Sequence, residues 1–306
     1  MAEQPLQRVV VAGGTGLVGR ALVKALVRAG AEVVVLTRRP GSAVLPPGAK
    51  AQGWEDPIEA LEGADAVFNL AGEGIADRRW TAKRKQILLQ SRVGPTEALV
   101  EGLRGCTRRP AVLVNASAIG YYGAAPDDTP LSELSPAGTG FLPEVCLAWE
   151  AAALTAQSLG MRVAIARLGM VLARNGGALP KMALPVRLWA GSRLGDGRQG
   201  LSWIHLHDLV AMLLAAAQNP AWEGPFNATA PEPVSQAVFL RLLSKQLHRP
   251  LAPIPGFLAA AGVRLALGEL GRDLLLRGAF VHPGKAEVLG FPFRFPSPEE
   301  ALLDLL

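Results

Sequence analysis

Residues 8–19, RVVVAGGTGLVG, restrict what the chain can become more than any other stretch. Arg8, Val9, Val10 and Val11 form a β-branched run of strand type, and residues 21–29 carry leucines and valines at helical spacing. Between the two stand Gly13, Gly16 and Gly19. A strand that turns sharply into a helix leaves the first helical N–H groups without partners, aimed at whatever anion lies there. Gly13 then makes the turn, Gly16 lets a pyrophosphate approach the backbone, and Gly19 lets the helix lie close on the sheet. The plain alternative is an ordinary βα turn that binds nothing; strand, glycine turn and helix in this order favour a dinucleotide site.

The next strand bears on which dinucleotide. Residues 31–36 read as a strand, closed by Thr37, Arg38 and Arg39. In dinucleotide folds the residue about 20 positions past the glycines faces the adenine ribose, and a carboxylate there accepts from the 2′-hydroxyl of NAD. Arg38 offers a planar fork of donors instead, with Arg39 beside it and Thr37 able to hydrogen-bond, which suits the 2′-phosphate of NADP. Otherwise they are two arginines exposed at a strand end.

At 306 residues and 50% hydrophobic, the chain can bury a large core, as one domain or as a main domain with a smaller lobe. No apolar run reaches the about 18 residues of a membrane span, residues 209–217 coming nearest, so no membrane partner is expected. The opening residues MAEQPLQR lack an apolar leader, and Cys106 and Cys146 form neither a metal spacing nor a disulfide framework; both point to the cytoplasm. The net charge of +5 suits an anionic ligand, but its basic residues are scattered, which favours a solvated surface over a nucleic-acid partner. No repeat or low-complexity segment interrupts the chain.

Residues 40–57 read as a loop with a short strand at 49–54, and residues 58–62 as a short helix. Residues 64–72 give a strand ending in Asn69, Leu70, Ala71 and Gly72, small enough to leave room for a ligand across the sheet edge; residues 73–80 then loop over the cofactor. Residues 81–103 have a long helical pattern, interrupted at Gly94-Pro95. Arg92 within it reaches either the cofactor or a surface carboxylate. Residues 111–123 form a further strand.

These glycines, residues 65–72, and the segments NLAGEGIADRRW, NASAIGYYG, FLPEVCLAWEAAA, SWIHLHDLV, FNATAPEPV and GFPFRFPSPEEAL together resemble an atypical, epimerase-like branch of the extended short-chain dehydrogenase/reductase superfamily, over nearly the whole length. The resemblance implies a Rossmann-type doubly wound parallel α/β sheet with a smaller C-terminal lobe covering the substrate. It also implies a serine at the strand end working with a Tyr-x-x-x-Lys pair on the next helix, the tyrosine moving a proton while hydride passes to or from nicotinamide. Aligned on Glu150, that pair falls on Leu142 and Cys146. Leucine transfers no proton and cysteine supplies no positive charge, so the usual mechanism does not carry over to this helix.

Ser117 matches the serine position and is expected to orient the reacting group. Tyr121 or Tyr122 then serves as proton donor, with Tyr121 preferred, or both are structural. Nothing basic lies near Cys146 in sequence, which reads as a packed helix cysteine. Residues 160–171 form a strand whose Arg167, Leu168 and Gly169 leave towards the nicotinamide, as the corresponding segment does in the family. The cofactor set expected from the turn, the strand ends and the resemblance is Gly13, Thr15, Gly16, Leu17, Val18, Gly19, Thr37, Arg38, Arg39, Leu70, Ala71, Gly72, Glu73, Arg92, Ala116, Arg167, Gly169 and Val171.

Later, residues 176–185 read as a loop and helix carrying Lys181. Residues 194–199 form a turn whose Arg198 meets an anionic substrate or is solvated. Asp208 is expected to cap the helix after a strand at residue 203, and His205 and His207 lack a third ligand, so no metal is expected. Residues 224–230 read as a strand and 234–247 as a helix. Residues 250–255 introduce the last lobe, whose helix 257–270 covers the cleft; the leucines of 265–276 make core or a homodimer face. The division is residues 1–230 for the NADP domain, with part of 170–205 contributing to the lobe, and residues 250–306 for the small domain. The leading reading is an NADP-dependent oxidoreductase or epimerase-like enzyme acting on an unidentified small molecule by hydride transfer; the rival is a non-catalytic NADP-binding sensor or scaffold.

Overall fold

The computed structural model describes residues 5–125 and 129–306; the opening stretch read for a leader lies partly outside them. Numbered along the chain, the described residues form fourteen strands and eleven α-helices. Seven parallel strands make the central sheet: β1 (Arg8–Ala12), β2 (Glu32–Leu36), β3 (Ala49–Gln52), β4 (Ala66–Asn69), β5 (Val112–Ala118), β7 (Arg162–Leu168) and β12 (Gly224–Ala228), in the order β12-β7-β5-β4-β1-β2-β3. This is the doubly wound Rossmann-type sheet. The order in which the chain adds strands reverses between β1 and β4, and open sheets of this kind bind ligands in the crevice at that point.

Alternation along the strands builds both faces. Val9 and Val11 pack with Leu22 and Leu26 of α1 (Leu17–Arg28) and with Leu209 and Leu213 of α6 (Leu206–Gln218). Val10 and Ala12 face the other way, into a cluster with Leu61 of α2 (Pro57–Leu61), Leu99 and Leu103 of α3 (Ala82–Gly105) and Ala153 of α4 (Phe141–Leu154). Strands covered on both sides read as continuous apolar runs, and each buried valine or leucine stabilises the fold by about 1.5–3 kcal/mol.

The helix read as broken at Gly94-Pro95 runs unbroken through α3. Pro95 removes one N–H from the helical ladder, but Thr96 Oγ1 donates to the Arg92 carbonyl at 2.7 Å and holds the turn together. The strand read over 160–171 is two: β7 ends at Leu168 and β8 (Met170–Ala173) starts a second sheet. The intervening Gly169 donates to the Ala228 carbonyl at 3.0 Å and Met170 to that of Ser202 at 2.9 Å, so one residue transfers the chain between sheets. Beside β8 lie β9 (Gly176–Gly177) and β11 (Trp203–His205). Their core, with Trp203 and Phe239, is closed by α5 (Leu179–Arg187), α7 (Gln236–Leu247) and α11 (Pro298–Leu305).

Small pairings complete the lobe: β10 (Gly200–Leu201) with β13 (Val234–Ser235), and β6 (Pro130–Leu131) with β14 (Phe280–Val281), followed by α10 (Gly284–Val288). The helix read over 257–270 is α8 (Gly256–Leu267) and α9 (Glu269–Leu274), parted at Gly268, whose φ of 61° suits a residue without a side chain. Asp208 does not cap α6. His205 holds that place, its ring accepting from the His207 N–H at 3.0 Å, because the buried Asp208 carboxylate instead accepts from the backbone of Arg294 and Phe295. Among the described residues no helix is long and apolar enough to cross a membrane.

Candidate functional site

The turn after β1 tolerates glycine alone at two positions. Gly13 has φ +79°, and a Cβ on it would lie 2.5 Å from the Leu70 carbonyl, which follows β4 across the crevice. A Cβ on Gly19 would lie 2.2 Å from the Gly13 carbonyl oxygen. Gly19 therefore seats the helix against its own turn, where close packing on the sheet was expected. Gly16 is the N-cap of α1; no side chain caps the helix and its first turn holds no acid, so those N–H groups keep their capacity for an anion. Thr15 and Gly16 are exposed, Leu17 and Val18 half-buried, and the β9 glycines pack on Leu17.

At the neighbouring strand end, Thr37 donates its N–H to the Gln52 carbonyl at 2.9 Å, and its Oγ1 accepts from the Arg39 N–H at 3.4 Å. Arg38 and Arg39 are exposed, and among the described residues neither makes an ion pair.

Across the crevice, register puts Asn69 of β4 opposite Asn115 of β5. Asn69 Nδ2 donates to Asn115 Oδ1 at 2.6 Å and its Oδ1 accepts from the Ala71 N–H at 3.2 Å, which fixes the Leu70, Ala71, Gly72 segment. Arg92 is half-buried and, among the described residues, pairs with no carboxylate. Its guanidinium donates to the carbonyls of Leu88 and Glu73, both at 2.9 Å, and burial pulls it below the usual guanidinium range. Glu73 pairs with Arg84 and donates its N–H to Ser91 Oγ at 3.2 Å.

Three adjacent strands line up the remaining groups: register places Ser117 of β5 opposite Arg167 of β7, and Arg167 opposite Asn227 of β12. Glu150 of α4 drops onto this row. Its Oε1 accepts from Ser117 Oγ at 2.6 Å and from Arg167 Nε at 2.9 Å, and its Oε2 accepts from Arg167 Nη2 at 2.9 Å. Arg167 Nη1 donates to the Tyr122 hydroxyl at 3.0 Å, and that hydroxyl donates to Asn227 Oδ1 at 2.7 Å. Burial opposes a charge on Arg167, but the Glu150 hydrogen bonds and charge outweigh it and hold the guanidinium above its usual value. Burial pushes the Tyr122 phenol up, with Arg167 pulling the other way.

Two expectations change here. Ser117 is 2% exposed and its hydroxyl orients Glu150, where the reacting group was expected. Arg167 is 3% exposed with its guanidinium engaged inside the protein, where contact with a cofactor was expected. Both tyrosines lie on a 3₁₀ turn at Ile119–Tyr122, past the end of β5. Tyr122 is buried in the network. Tyr121 is half-buried, with Arg167 Cζ 3.4 Å from its ring centroid, and among the described residues its hydroxyl has no hydrogen-bond partner. A flat guanidinium against the ring fixes the phenol while leaving its oxygen available.

Leu142 and Cys146 of α4 face the same turn. A Cβ on Gly120 would lie 3.3 Å from Leu142 Cβ, and Cys146 Sγ donates to the Ala118 carbonyl at 3.6 Å. Burial, with the Glu150 charge, pushes the thiol up to about 11, so it is a packed cysteine as read from the sequence. Ala116 is buried within β5, Gly169 is the transfer residue between sheets, and Val171 lies half-buried in β8.

Sequence reasoning used Glu150 only as an alignment point and missed it as Arg167's partner. The signal was available: a carboxylate in FLPEVCLAWEAAAL and a guanidinium in RVAIARL are charges on apolar elements, and buried charges require partners. His205 lies on Phe295, ring centroids 3.9 Å apart, and His207 Nδ1 is 3.2 Å from Asp208; among the described residues no group of three His, Cys, Asp or Glu is placed to hold a metal.

Comparison with known proteins gives two family matches, the NAD dependent epimerase/dehydratase family over residues 9–228 and a domain of unknown function (DUF1731) over residues 258–305. An epimerase family protein of Mycobacterium bovis is 41% identical over 300 residues, covering 96% of each chain. The crystal structure of human epimerase family protein SDR39U1 (isoform2) with NADPH is similar with a TM-score of 0.87 and 32% identity, covering 98% of this chain and 99% of that one. A nucleoside-diphosphate sugar epimerase from Corynebacterium glutamicum is similar with a TM-score of 0.78 and 33% identity, covering 99% of this chain and 58% of the other.

Proposed function

The chain belongs to the NAD dependent epimerase/dehydratase family, and from that premise we propose that it binds NADP(H) and acts as an oxidoreductase or epimerase-like enzyme on a small molecule. One observation carries the reading: an uncapped first helical turn behind glycines that admit no side chain, with two exposed arginines at the adjacent strand end that make no ion pair among the described residues. The NADPH in the human relative's crystal structure supports the same choice of cofactor. The N–H groups of Leu17, Val18 and Gly19 would hold the pyrophosphate, and the fork of Arg38, with Arg39 and Thr37, the 2′-phosphate. When bound, the nicotinamide supplies or takes a hydride.

The chain's own part is acid–base. Tyr121 offers the one phenolic oxygen of the turn that is not already hydrogen-bonded, and it exchanges a proton with the substrate oxygen. Arg167, held by Glu150 and through it by Ser117, keeps the ring in place. In this reading residues 1–230 hold the dinucleotide, part of 170–205 and residues 250–306 cover the substrate, and the buried free thiols suit a cytoplasmic setting.

Titrating NADPH and NADH against the protein tests the cofactor. NADPH binds more tightly, and Arg38→Ala weakens it by about 10- to 100-fold, the worth of hydrogen bonds between charged groups, without changing NADH. Equal affinity for both cofactors in the parent protein refutes the assignment. A second reading, a non-catalytic NADP-binding sensor, draws on Leu142 and Cys146 standing where the usual Tyr and Lys would be. NADPH oxidation that follows an added carbonyl compound and disappears in Tyr121→Phe decides for the enzyme.

A further inference from the structure

Two segments of the chain carry cations and no acids. Residues 178–195 hold Lys181, Arg187 and Arg193 without an aspartate or glutamate, and residues 233–268 hold Arg241, Lys245, Arg249 and Arg264, again without one. The fold brings the two together. Ala252 donates its N–H to the Gly191 carbonyl at 2.7 Å, Gly195 to that of Gly256 at 2.9 Å, and Arg249 Cζ lies 5.0 Å from the ring centroid of Trp189.

Where they meet, a groove of about 440 Å³ is lined by Arg193, Arg241, Leu240, Leu251 and Ile254. Gly197 lets Arg193 lie there: its φ is +72°, and a Cβ on it would stand 2.6 Å from Arg193 Cδ and 2.8 Å from the Ala237 Cβ of α7. Lys245 follows Arg241 by one turn of the same helix. Arg193, Arg241, Lys245 and Arg249 are exposed, and among the described residues none of the four makes an ion pair. Apolar side chains stand out beside them. Leu188, Trp189, Phe257 and Leu258 each keep more than half of their surface in solvent, and α8 buries only Gly256 and Ala260. Among the described residues, Trp189 and Phe257 are the only aromatics in the set of exposed large hydrophobic side chains.

This charge and this apolar surface together select the partner. A second copy of the chain would bring the same cations against these, since a two-fold contact sets one patch on itself. A nucleic acid supplies phosphates but nothing to cover Phe257 and Leu258. An anionic bilayer supplies both, phosphates at its surface and, just beneath, the boundary where aromatic side chains settle. The expectation of no membrane partner rests on spanning length, which a protein lying on the surface does not need. We propose that this face docks on an anionic phospholipid surface, a headgroup phosphate entering the groove of Arg193 and Arg241 while Trp189, Phe257 and Leu258 dip into the acyl boundary. It uses none of the residues assigned to the cofactor.

Co-sedimentation of the full chain with vesicles tests it, using phosphatidylcholine alone and phosphatidylcholine with about 30% phosphatidylglycerol. The protein is expected to sediment with the mixed vesicles and to stay in solution with the neutral ones. Each cation at such a surface is worth about fivefold, so Arg193→Gln with Arg241→Gln weakens binding by about 25-fold. Phe257→Ser with Leu258→Ser weakens it by at least about tenfold. Lys24→Gln with Arg28→Gln takes the same charge from exposed positions of α1 and costs less than about threefold. All six side chains are exposed, circular dichroism checks that each variant is folded, and either pair from the proposed face decides without the other. Absence of sedimentation with the mixed vesicles overturns the proposal. So does an equal loss in the α1 variant, which reports net charge alone, or binding indifferent to Phe257 and Leu258, which marks a purely ionic partner such as an acidic polypeptide.

Discussion

Replacing Glu150 by Gln removes one charge from a pair whose side chains are 4% and 9% exposed, while keeping size and shape. Gln can still accept from Ser117 and from Arg167 Nε through its oxygen, but its amide nitrogen then faces Arg167 Nη2 across the present 2.9 Å contact, donor against donor. Two unit charges about 4 Å apart interact by about 4 kcal/mol at an effective dielectric of 20, and stranding one member of a buried pair costs about 3–5 kcal/mol. Against a whole-domain stability of about 5–15 kcal/mol, Glu150→Gln alone removes about a fifth or more.

Urea denaturation at pH 7, followed by tryptophan fluorescence and circular dichroism, measures this. The pair Glu150→Leu with Arg167→Met removes both charges together and is expected to cost less than either single change, because no ion is left buried. A Glu150→Gln loss below about 1 kcal/mol, or single costs that sum to that of the double variant, would refute the argument that the pair acts as a unit.

The other predictions concern the site and its surroundings. Gly19→Ala sets a methyl group into the Gly13 carbonyl, so NADPH affinity falls by at least about tenfold while circular dichroism keeps the native spectrum. Tyr122→Phe leaves Asn227 Oδ1 and Arg167 Nη1 short of a partner and costs about 1–3 kcal/mol in urea, whereas Tyr121→Phe stays within about 0.5 kcal/mol and removes turnover. Burial lowers the His205 pKa below its ordinary 6.5, with Asp304 and Asp208 pulling back and His207 adding to the lowering. The unfolded chain therefore takes up a proton before the folded one does: the contribution is fully present above pH 6.5 and is lost as pH falls through the folded value. Between pH 7.5 and 5.5 the loss is at most about 1.4 kcal/mol, and His205→Phe reduces that pH dependence.

Much of this was readable from residues alone, for physical reasons. The glycine turn announced itself because few other backbones need that spacing, and β1, β2, β4 and β5 because strands covered on both faces are apolar throughout. What escaped were partnerships across strands. Ser117, Arg167 and Asn227 are 50 and 60 positions apart and meet only through register, and a polar residue whose partner lies on a distant element resembles an available functional group. The same effect placed Arg92 in the cofactor's reach, although carbonyls of its own helix and of the adjoining loop hold it. Pro95 and Gly169 misled in opposite senses. The proline reads as a break but a threonine hydroxyl next to it repairs the turn; the glycine sits in an apolar run and reads as continuous, but tertiary contacts redirect the chain there.

The transfer at Gly169 limits how the molecule can open. A hinge needs a few residues free to change φ and ψ, and this seam, bonded to Ala228 on one side and Ser202 on the other, offers none. The three-stranded sheet is thereby tied to the main sheet on both sides of the transfer. α8 and α9 join the rest through the proline-rich segment 250–255, rest on Trp80 and Leu88, and are pinned by the Lys85–Glu269 pair and by the Gly195 N–H on the Gly256 carbonyl, so lifting them to admit a ligand means breaking those bonds.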